Sequence, residues 1–291
     1  MKEIVVISGK GGTGKTSLTA SFAFLGGKDV IVADCDVDAA DMHLLLQPDF
    51  ANSEDFYSGE LAQITQEKCN VCGKCAEVCR FDAIPLIRGR YVINPLSCEG
   101  CGYCARVCPT KAITNKKLNV GKWYVSNIKT GTLMVHAKLS IGADNSGKLV
   151  ARVKSEAKDI AEEEKAEYVI VDGSPGLGCP VVSSLSGASF VVLVTEPSLS
   201  GLHDLKRVYE LVQKFGLKAG CIINKADINL NLTEEIEDFL RRENILHLGK
   251  LPYDEQFTHA MTIGQTVIES DAEEIKKIIT DSWNKIKHTI N

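Results

Sequence analysis

Two sets of residues in this 291-residue chain have the types and spacing to do chemistry. The first is Gly9-Lys10-Gly11-Gly12-Thr13-Gly14-Lys15-Thr16, followed by Ser17. It fits the phosphate-loop pattern G-x-x-x-x-G-K-[ST]: the glycines free backbone N–H groups to wrap a polyphosphate, Lys15 reaches the β/γ-phosphates, and the Thr16 hydroxyl ligates Mg²⁺. The apolar run Ile4-Val5-Val6-Ile7 predicts a strand before the loop. Ser17 to Leu25 predicts a helix after it, whose N-terminus adds its positive end. The expected ligand is a nucleoside triphosphate with Mg²⁺. The second set is two runs of four cysteines, Cys69-x2-Cys72-x2-Cys75-x3-Cys79 and Cys98-x2-Cys101-x2-Cys104-x3-Cys108. Thiolates at this spacing grip an iron–sulfur cubane from one loop; paired C-x-x-C motifs also make structural zinc sites.

The elements that must position these groups alternate between strand and helix. Asp29 to Asp34 reads as a second parallel strand ending in the acidic cluster Asp34, Asp36, Asp38 and Asp41, at the end that faces the ligand crevice of an open α/β sheet. Asp38 and Asp41 suit a solvated loop or a helix cap. Tyr168-Val-Ile-Val-Asp172 is a short apolar strand ending in aspartate, as a Walker B site requires, and Gly173-Ser-Pro-Gly176 suits a switch loop. Further units follow: strand Phe190–Thr195, helix Gly201–Phe215, strand Ala219–Asn224, helix Leu232–Glu243 and strand Ile245–Leu251. This order predicts an α/β fold with a mostly parallel, doubly wound sheet. Between Lys122 and Leu139 two β-prone runs flank Lys129-Thr130-Gly131, a hairpin; a turn at Asn145–Lys148 leads into a helix over Leu149–Lys165. His136 on the hairpin reads as structural or surface, and Cys35 and Cys221 as small core residues.

Lys10, just after the first glycine, makes the loop K-G-G-x-G-K-T, and here the chain resembles the deviant-Walker-A ATPases of the MinD, Mrp and nitrogenase-iron-protein superfamily. The resemblance implies an ATP-bound homodimer in which Lys10 reaches the partner's nucleotide. It implies a catalytic set of Lys10, Lys15 and Asp36, with Asp36 orienting the attacking water and Asp34 acting near Mg²⁺ beside Thr16 and Asp172. It also implies that Asn224 hydrogen-bonds adenine, with Pro252 and Tyr253 in the segment covering the ring. Asn224-Lys225-Ala226-Asp227 equally matches the N-K-x-D element that reads guanine, and family context favours ATP. The cysteine runs are similar to bacterial-type ferredoxins, in which the fourth cysteine of each run ligates the other cluster. On that pattern Cys69, Cys72, Cys75 and Cys108 hold one 4Fe–4S cluster, and Cys98, Cys101, Cys104 and Cys79 the other. The matching tails Cys79–Ile84 and Cys108–Ile113 favour clusters over zinc, although Arg80 stands where proline is usual. The expected domains are a P-loop ATPase over 1–59 and 119–291 and an inserted α+β ferredoxin-type domain over 60–118. Cys179 lies where the nitrogenase iron protein holds a shared cluster; with no second spare cysteine nearby, the structural role is the expectation.

Net charge is −5, which gives no support for nucleic-acid binding. Eleven cysteines without an export signal point to metal or redox chemistry in the cytoplasm rather than disulfides. Between Glu60 and Leu118 stand nine Lys/Arg against five Asp/Glu, so the insert is basic. Ile275, Ile278, Ile279, Trp283, Ile286 and Ile290 recur at helical spacing near the C-terminus. That stripe suits either a closing helix or a membrane-holding one; without a flanking basic run, membrane binding is not expected. The leading functional expectation is ATP hydrolysis whose nucleotide state gates electron transfer through two clusters to a redox or iron–sulfur acceptor protein. The alternatives are an iron–sulfur carrier or assembly ATPase, and a MinD/ParA-like spatial organiser.

Overall fold

The computed structural model describes residues 1–140 and 146–291. Its strands in chain order are β1 (Lys2–Ile7), β2 (Val30–Asp34), β3 (Asn52–Ile64), β4 (Leu86–Ile87), β5 (Arg90–Tyr91), β6 (Ile113–Asn127), β7 (Leu133–Leu139), β8 (Tyr168–Asp172), β9 (Phe190–Thr195), β10 (Ala219–Ile223) and β11 (Leu246–Lys250). The α-helices are α1 (Lys15–Gly26), α2 (Met42–Leu46), α3 (Lys74–Glu77), α4 (Tyr103–Val107), α5 (Ser146–Glu163), α6 (Cys179–Leu185), α7 (Leu199–Lys214), α8 (Leu230–Arg242), α9 (Gln256–Thr262) and α10 (Glu273–Ile290). The described chain divides into two compact units: Met1–Glu54, residues 122–140 and Ser146–Asn291 form one, and Asp55–Gly121 the other.

The larger unit is built on the sheet order β11-β10-β9-β1-β8-β2-β7. The pairs β11–β10, β10–β9, β9–β1, β1–β8, β8–β2 and β2–β7 are all parallel. Strands covered on both faces read as unbroken apolar runs, which is why β1, β2, β8 and β9 are legible as such. On one face Ile4, Val6, Ile170 and Val192 join Leu18 and Phe22 of α1 and Ile279 and Trp283 of α10 in one core. The opposite face carries α5, α6 and α7.

The apolar stripe of α10 is spent on this core. Ile275, Ile279, Trp283 and Ile286 are buried, and the Trp283 ring stands 5.7 Å from Phe22 and 5.5 Å from Tyr168. Among the described residues no helix is long and apolar enough to cross a membrane. His136 is likewise structural: its Nε2 lies 2.9 Å from Ser126 Oγ and its ring stacks on Tyr124, while burial lowers its pKa to about 4. Cys35 and Cys221 are buried, and Cys179 is exposed at the start of α6.

The smaller unit has its own core of Ala62, Cys75, Ala83, Ile84, Cys104 and Ile113. β4 and β5 form an antiparallel hairpin around Arg88 and Gly89, both at positive φ (50° and 76°), the backbone a two-residue turn needs.

Several elements depart from the sequence reading. β6 begins at Ile113, not Lys122, because Lys116-Lys117-Leu118-Asn119 is a polar strand that shows no apolar run. β3 is polar at most positions for the same reason. The short helices α2, α6 and α9 were not expected, and the turn at Asn145–Lys148 begins outside the described residues.

Candidate functional site

The loop 9–14 joins β1 to α1, and its glycines do conformational work: Gly12 and Gly14 hold φ of +79° and +88°, values that cost a side chain dearly. Gly14 also passes so close to Asn224 that a Cβ there would meet its Nδ2 at 2.4 Å. Asn224 uses this approach to donate from Nδ2 to the Thr13 carbonyl at 2.9 Å.

Two strand ends, those of β2 and β8, deliver three carboxylates to the start of α1. Lys15 Nζ stands 2.8 Å from Asp172 Oδ1 at the end of β8 and 3.4 Å from Asp36 Oδ2 after β2. The Thr16 hydroxyl donates to Asp172 Oδ2 at 2.8 Å. Asp34 faces Asp172 across the parallel register, and its Oδ1 accepts the Asp36 N–H at 3.2 Å. Burial, then the charge of Asp172, drives the Asp34 carboxyl well above its ordinary range; burial also raises Asp36 against the pull of Lys15. Burial disfavours the Lys15 ammonium, yet Asp172 and Asp36 outweigh it and raise its pKa. Three acids around one lysine leave unbalanced negative charge. Together with the Thr16 hydroxyl they form a hard oxygen donor set that fits Mg²⁺. The polyphosphate cradle is also short of a partner: among the described residues Thr13 Oγ1 is buried with no hydrogen bond.

Sequence reasoning missed two residues here. Thr19, one turn along α1, places its hydroxyl 2.9 Å from both Asp172 Oδ1 and the Lys15 carbonyl, sharing its one proton between them and helping to hold the Asp172 carboxylate. The signal that could have found it is a small hydroxyl residue four positions after Lys15, on the same face of the helix. Glu196, just after β9, pairs with Lys10 at 3.1 Å and with Lys225 at 3.0 Å, and no motif announces it.

A cleft of about 220 Å³ opens beside the loop, lined by residues including Gly12, Gly14, Ser17, Asn224, Tyr253 and Phe257. Asp227 is turned to the neighbouring backbone, where its Oδ1 accepts the Tyr253 N–H at 2.6 Å. Pro252 precedes Tyr253 in that segment, and Gly9 and Gly11 lie within the loop. In the loop after β8, Gly176 N–H donates to the Ser8 carbonyl at 2.9 Å, tying that loop to the end of β1.

In the smaller unit the eight cysteines separate into two quartets. Cys69, Cys72, Cys75 and Cys108 line one small cavity, and Cys79, Cys98, Cys101 and Cys104 line another. Each cavity draws its fourth cysteine from the other run, and both are otherwise mostly apolar. Burial raises the Cys75 and Cys104 thiols, and the neighbouring sulfurs add to it. Burial also opposes the Cys108 thiolate, but hydrogen bonds from Thr110 and the Ala112 N–H (3.2 Å to Sγ) bring its pKa down. Among the described residues no three His, Cys, Asp or Glu side chains converge closely enough for a single metal ion.

This sheet order, with a phosphate loop after β1 and acids at the ends of β2 and β8, defines a P-loop nucleotide-binding domain. Residues 4–267 match the model of the CobQ/CobB/MinD/ParA nucleotide-binding domain family, and the chain belongs to that family. The uncharacterized protein MJ0578 of Methanocaldococcus jannaschii is 35% identical over 229 residues, 78% of this chain and 79% of that one. The structure of the Pyrococcus furiosus cell division ATPase MinD aligns with a TM-score of 0.58 at 19% identity, over 99% of both chains. That of the septum site-determining protein MinD from Pyrococcus horikoshii OT3, complexed with Mg-ADP, gives 0.58 at 19% identity, over 98% of this chain and 95% of that one. At such identities the two structures establish a shared fold. The iron–sulfur reading of the smaller unit rests on this chain's own cysteines.

Proposed function

We propose that the protein is an ATP-hydrolysing switch of the MinD/ParA kind, which dimerises around ATP and presents its nucleotide state to a partner protein. The observation that carries this reading is the convergence of Asp36 and Asp172 on Lys15 at the mouth of the phosphate loop. Lys15 and the loop amides take the β/γ-phosphates, and Lys10 of one protomer serves the nucleotide of the other. Asp36 positions the attacking water. Thr16, Asp172 and, through water, Asp34 hold Mg²⁺, which when bound offsets charge on the phosphates. Adenine is the base favoured: the Asp227 carboxylate, which an N-K-x-D reader turns to guanine, is already engaged by the Tyr253 N–H. Sedimentation with ADP and with a non-hydrolysable ATP analogue tests the switch. An ATP-specific dimer in the wild type that is lost in Lys10→Ala supports it; a monomer in both nucleotides removes it.

Among the functional readings, family and fold favour the partner-organising switch over nucleotide-gated electron transfer. The redox reading keeps one specific observation, the two cysteine quartets. In it Cys69, Cys72, Cys75 and Cys108 hold one 4Fe–4S cluster and Cys79, Cys98, Cys101 and Cys104 the other, within an insert of about residues 60–118. Such clusters supply one-electron chemistry when bound. Iron and acid-labile sulfide on anaerobically purified protein test the clusters, and Cys75→Ser is expected to lose about half of both. Protein free of iron and sulfide under those conditions ends the reading. Equal rates of acceptor reduction with ATP, ADP and no nucleotide leave the clusters but remove the coupling. Intact transfer of a cluster to an apo-protein supports the assembly-factor alternative instead.

A further inference from the structure

We infer that Glu196 is a positioning residue that parks the second phosphate-loop lysine, Lys10, until a nucleotide-loaded partner draws it away. The inference rests on the proposed action of Lys10 across a dimer. Lys10 Nζ lies 3.1 Å from Glu196 Oε1, while the other carboxylate oxygen, Oε2, takes Lys225 Nζ at 3.0 Å. Lys225 in turn reaches the Gly12 carbonyl at 3.3 Å, so one carboxylate ties the phosphate loop to the segment that lines the base cleft.

The exposures of the three groups differ in the way a releasable contact requires. The Lys10 side chain is 45% exposed, Lys225 28% and Glu196 only 16%. An exposed ion pair is weak, and a phosphate with several anionic oxygens competes with one carboxylate for the same ammonium. When Lys10 departs, Glu196 keeps Lys225, so no buried charge is orphaned by the exchange. The two lysines also outweigh the burial of Glu196 and hold its carboxyl below the usual range, so it stays ionised at neutral pH. Lys225, lying between Glu196 and the cleft, links base occupancy to the same carboxylate.

The test measures dimerisation of the full chain with a non-hydrolysable ATP analogue and Mg²⁺ by sedimentation across protein concentration and salt. Glu196→Gln, nearly isosteric, removes the charge. Glu196→Asp, one methylene shorter, keeps the charge but no longer spans both lysines. Both are expected to dimerise at protein concentrations about two- to fivefold lower than wild type, the range an exposed ion pair commands. The gap is expected to narrow at high salt as the parked pair is screened. Thermal melts identify whichever variant is folded, and either one suffices. A folded variant that dimerises like wild type, while Lys10→Ala fails to dimerise, overturns the parking role alone. Lys10→Ala dimerising like wild type overturns the cross-dimer reading and the parking role with it.

Discussion

Replacing single glycines of the phosphate loop by alanine separates backbone strain from steric overlap within one short segment. Gly11 has open space around a would-be Cβ and no left-handed backbone, so Gly11→Ala is expected to change stability by no more than about 0.5 kcal/mol. Gly12 also has open space but a φ of +79°; forcing alanine into that region costs about 1–2 kcal/mol. Gly14 adds a collision to its φ of +88°, since the new methyl would lie 2.4 Å from Asn224 Nδ2. Pushing Asn224 aside breaks its bond to the Thr13 carbonyl and strands a buried amide, a further cost of about 1–3 kcal/mol. Gly14→Ala therefore stands at about 2–5 kcal/mol. At about 2–4 °C per kcal/mol for a chain of this size, Tm is expected to fall by roughly 4–20 °C for Gly14→Ala and roughly 2–8 °C for Gly12→Ala. Thermal unfolding of nucleotide-free protein followed by circular dichroism reads the series. A Gly14→Ala variant no less stable than Gly12→Ala refutes the overlap argument; a Gly11→Ala variant as unstable as Gly14→Ala refutes the whole scheme.

Three further outcomes are expected. Lys154 and Glu3, both buried, pair at 2.8 Å, Lys158 also reaches Glu3 at 3.0 Å, and Lys154 donates to the Ser186 carbonyl at 2.8 Å; because Lys158 still pairs Glu3, Lys154→Met should cost about 1–3 kcal/mol in urea denaturation, less than a buried charge left alone, and Glu3→Leu added to it should restore only part of that. Burial holds the His136 pKa near 4 in the folded chain against 6.5 unfolded, so the unfolded state takes up the proton first as pH falls. The His136 contribution is constant above the unfolded value, declines between about 6.5 and 4 by about 3 kcal/mol, and His136→Gln should remove that slope from urea melts across the range. Fluorescent ATP and GTP analogues titrated into the protein should bind with ATP favoured by about tenfold or more; parity would remove the argument from the Asp227–Tyr253 contact.

The phosphate loop, the Walker B strand and the parallel β/α units were legible because each is a local signal: an apolar run, a breaker, an amphipathic helix. Phe190–Thr195 has the same bounds in sequence and structure because β9 is buried at every position. The α6 helix was not legible because Gly178-Cys179-Pro180 looks like loop, although proline in the first turn of a helix is a start signal. β3 and the first half of β6 carry mostly exposed polar residues, so neither has the alternation that betrays a strand. At the site, the partners that sequence could not supply are distant ones. Thr19 and Asp172 are 153 positions apart, and Lys10 and Glu196 are 186, with only the fold to bring them together. The cysteine quartets are a different case: the resemblance to bacterial-type ferredoxins implied that the fourth member of each comes from the opposite run, and each of the two cavities is lined by three cysteines of one run and the fourth of the other.

The ring of Trp283 rests against Phe22, and Phe22 belongs to the helix that opens with Lys15. The chain has two tryptophans, and the other, Trp123, lies under the Arg152 guanidinium at 4.3 Å. A Trp123→Phe chain thus keeps Trp283 as its single tryptophan, seated against the helix whose first turn carries Lys15 and Thr16. A shift of that helix would change the colour and intensity of the Trp283 emission, a readout that needs no dye.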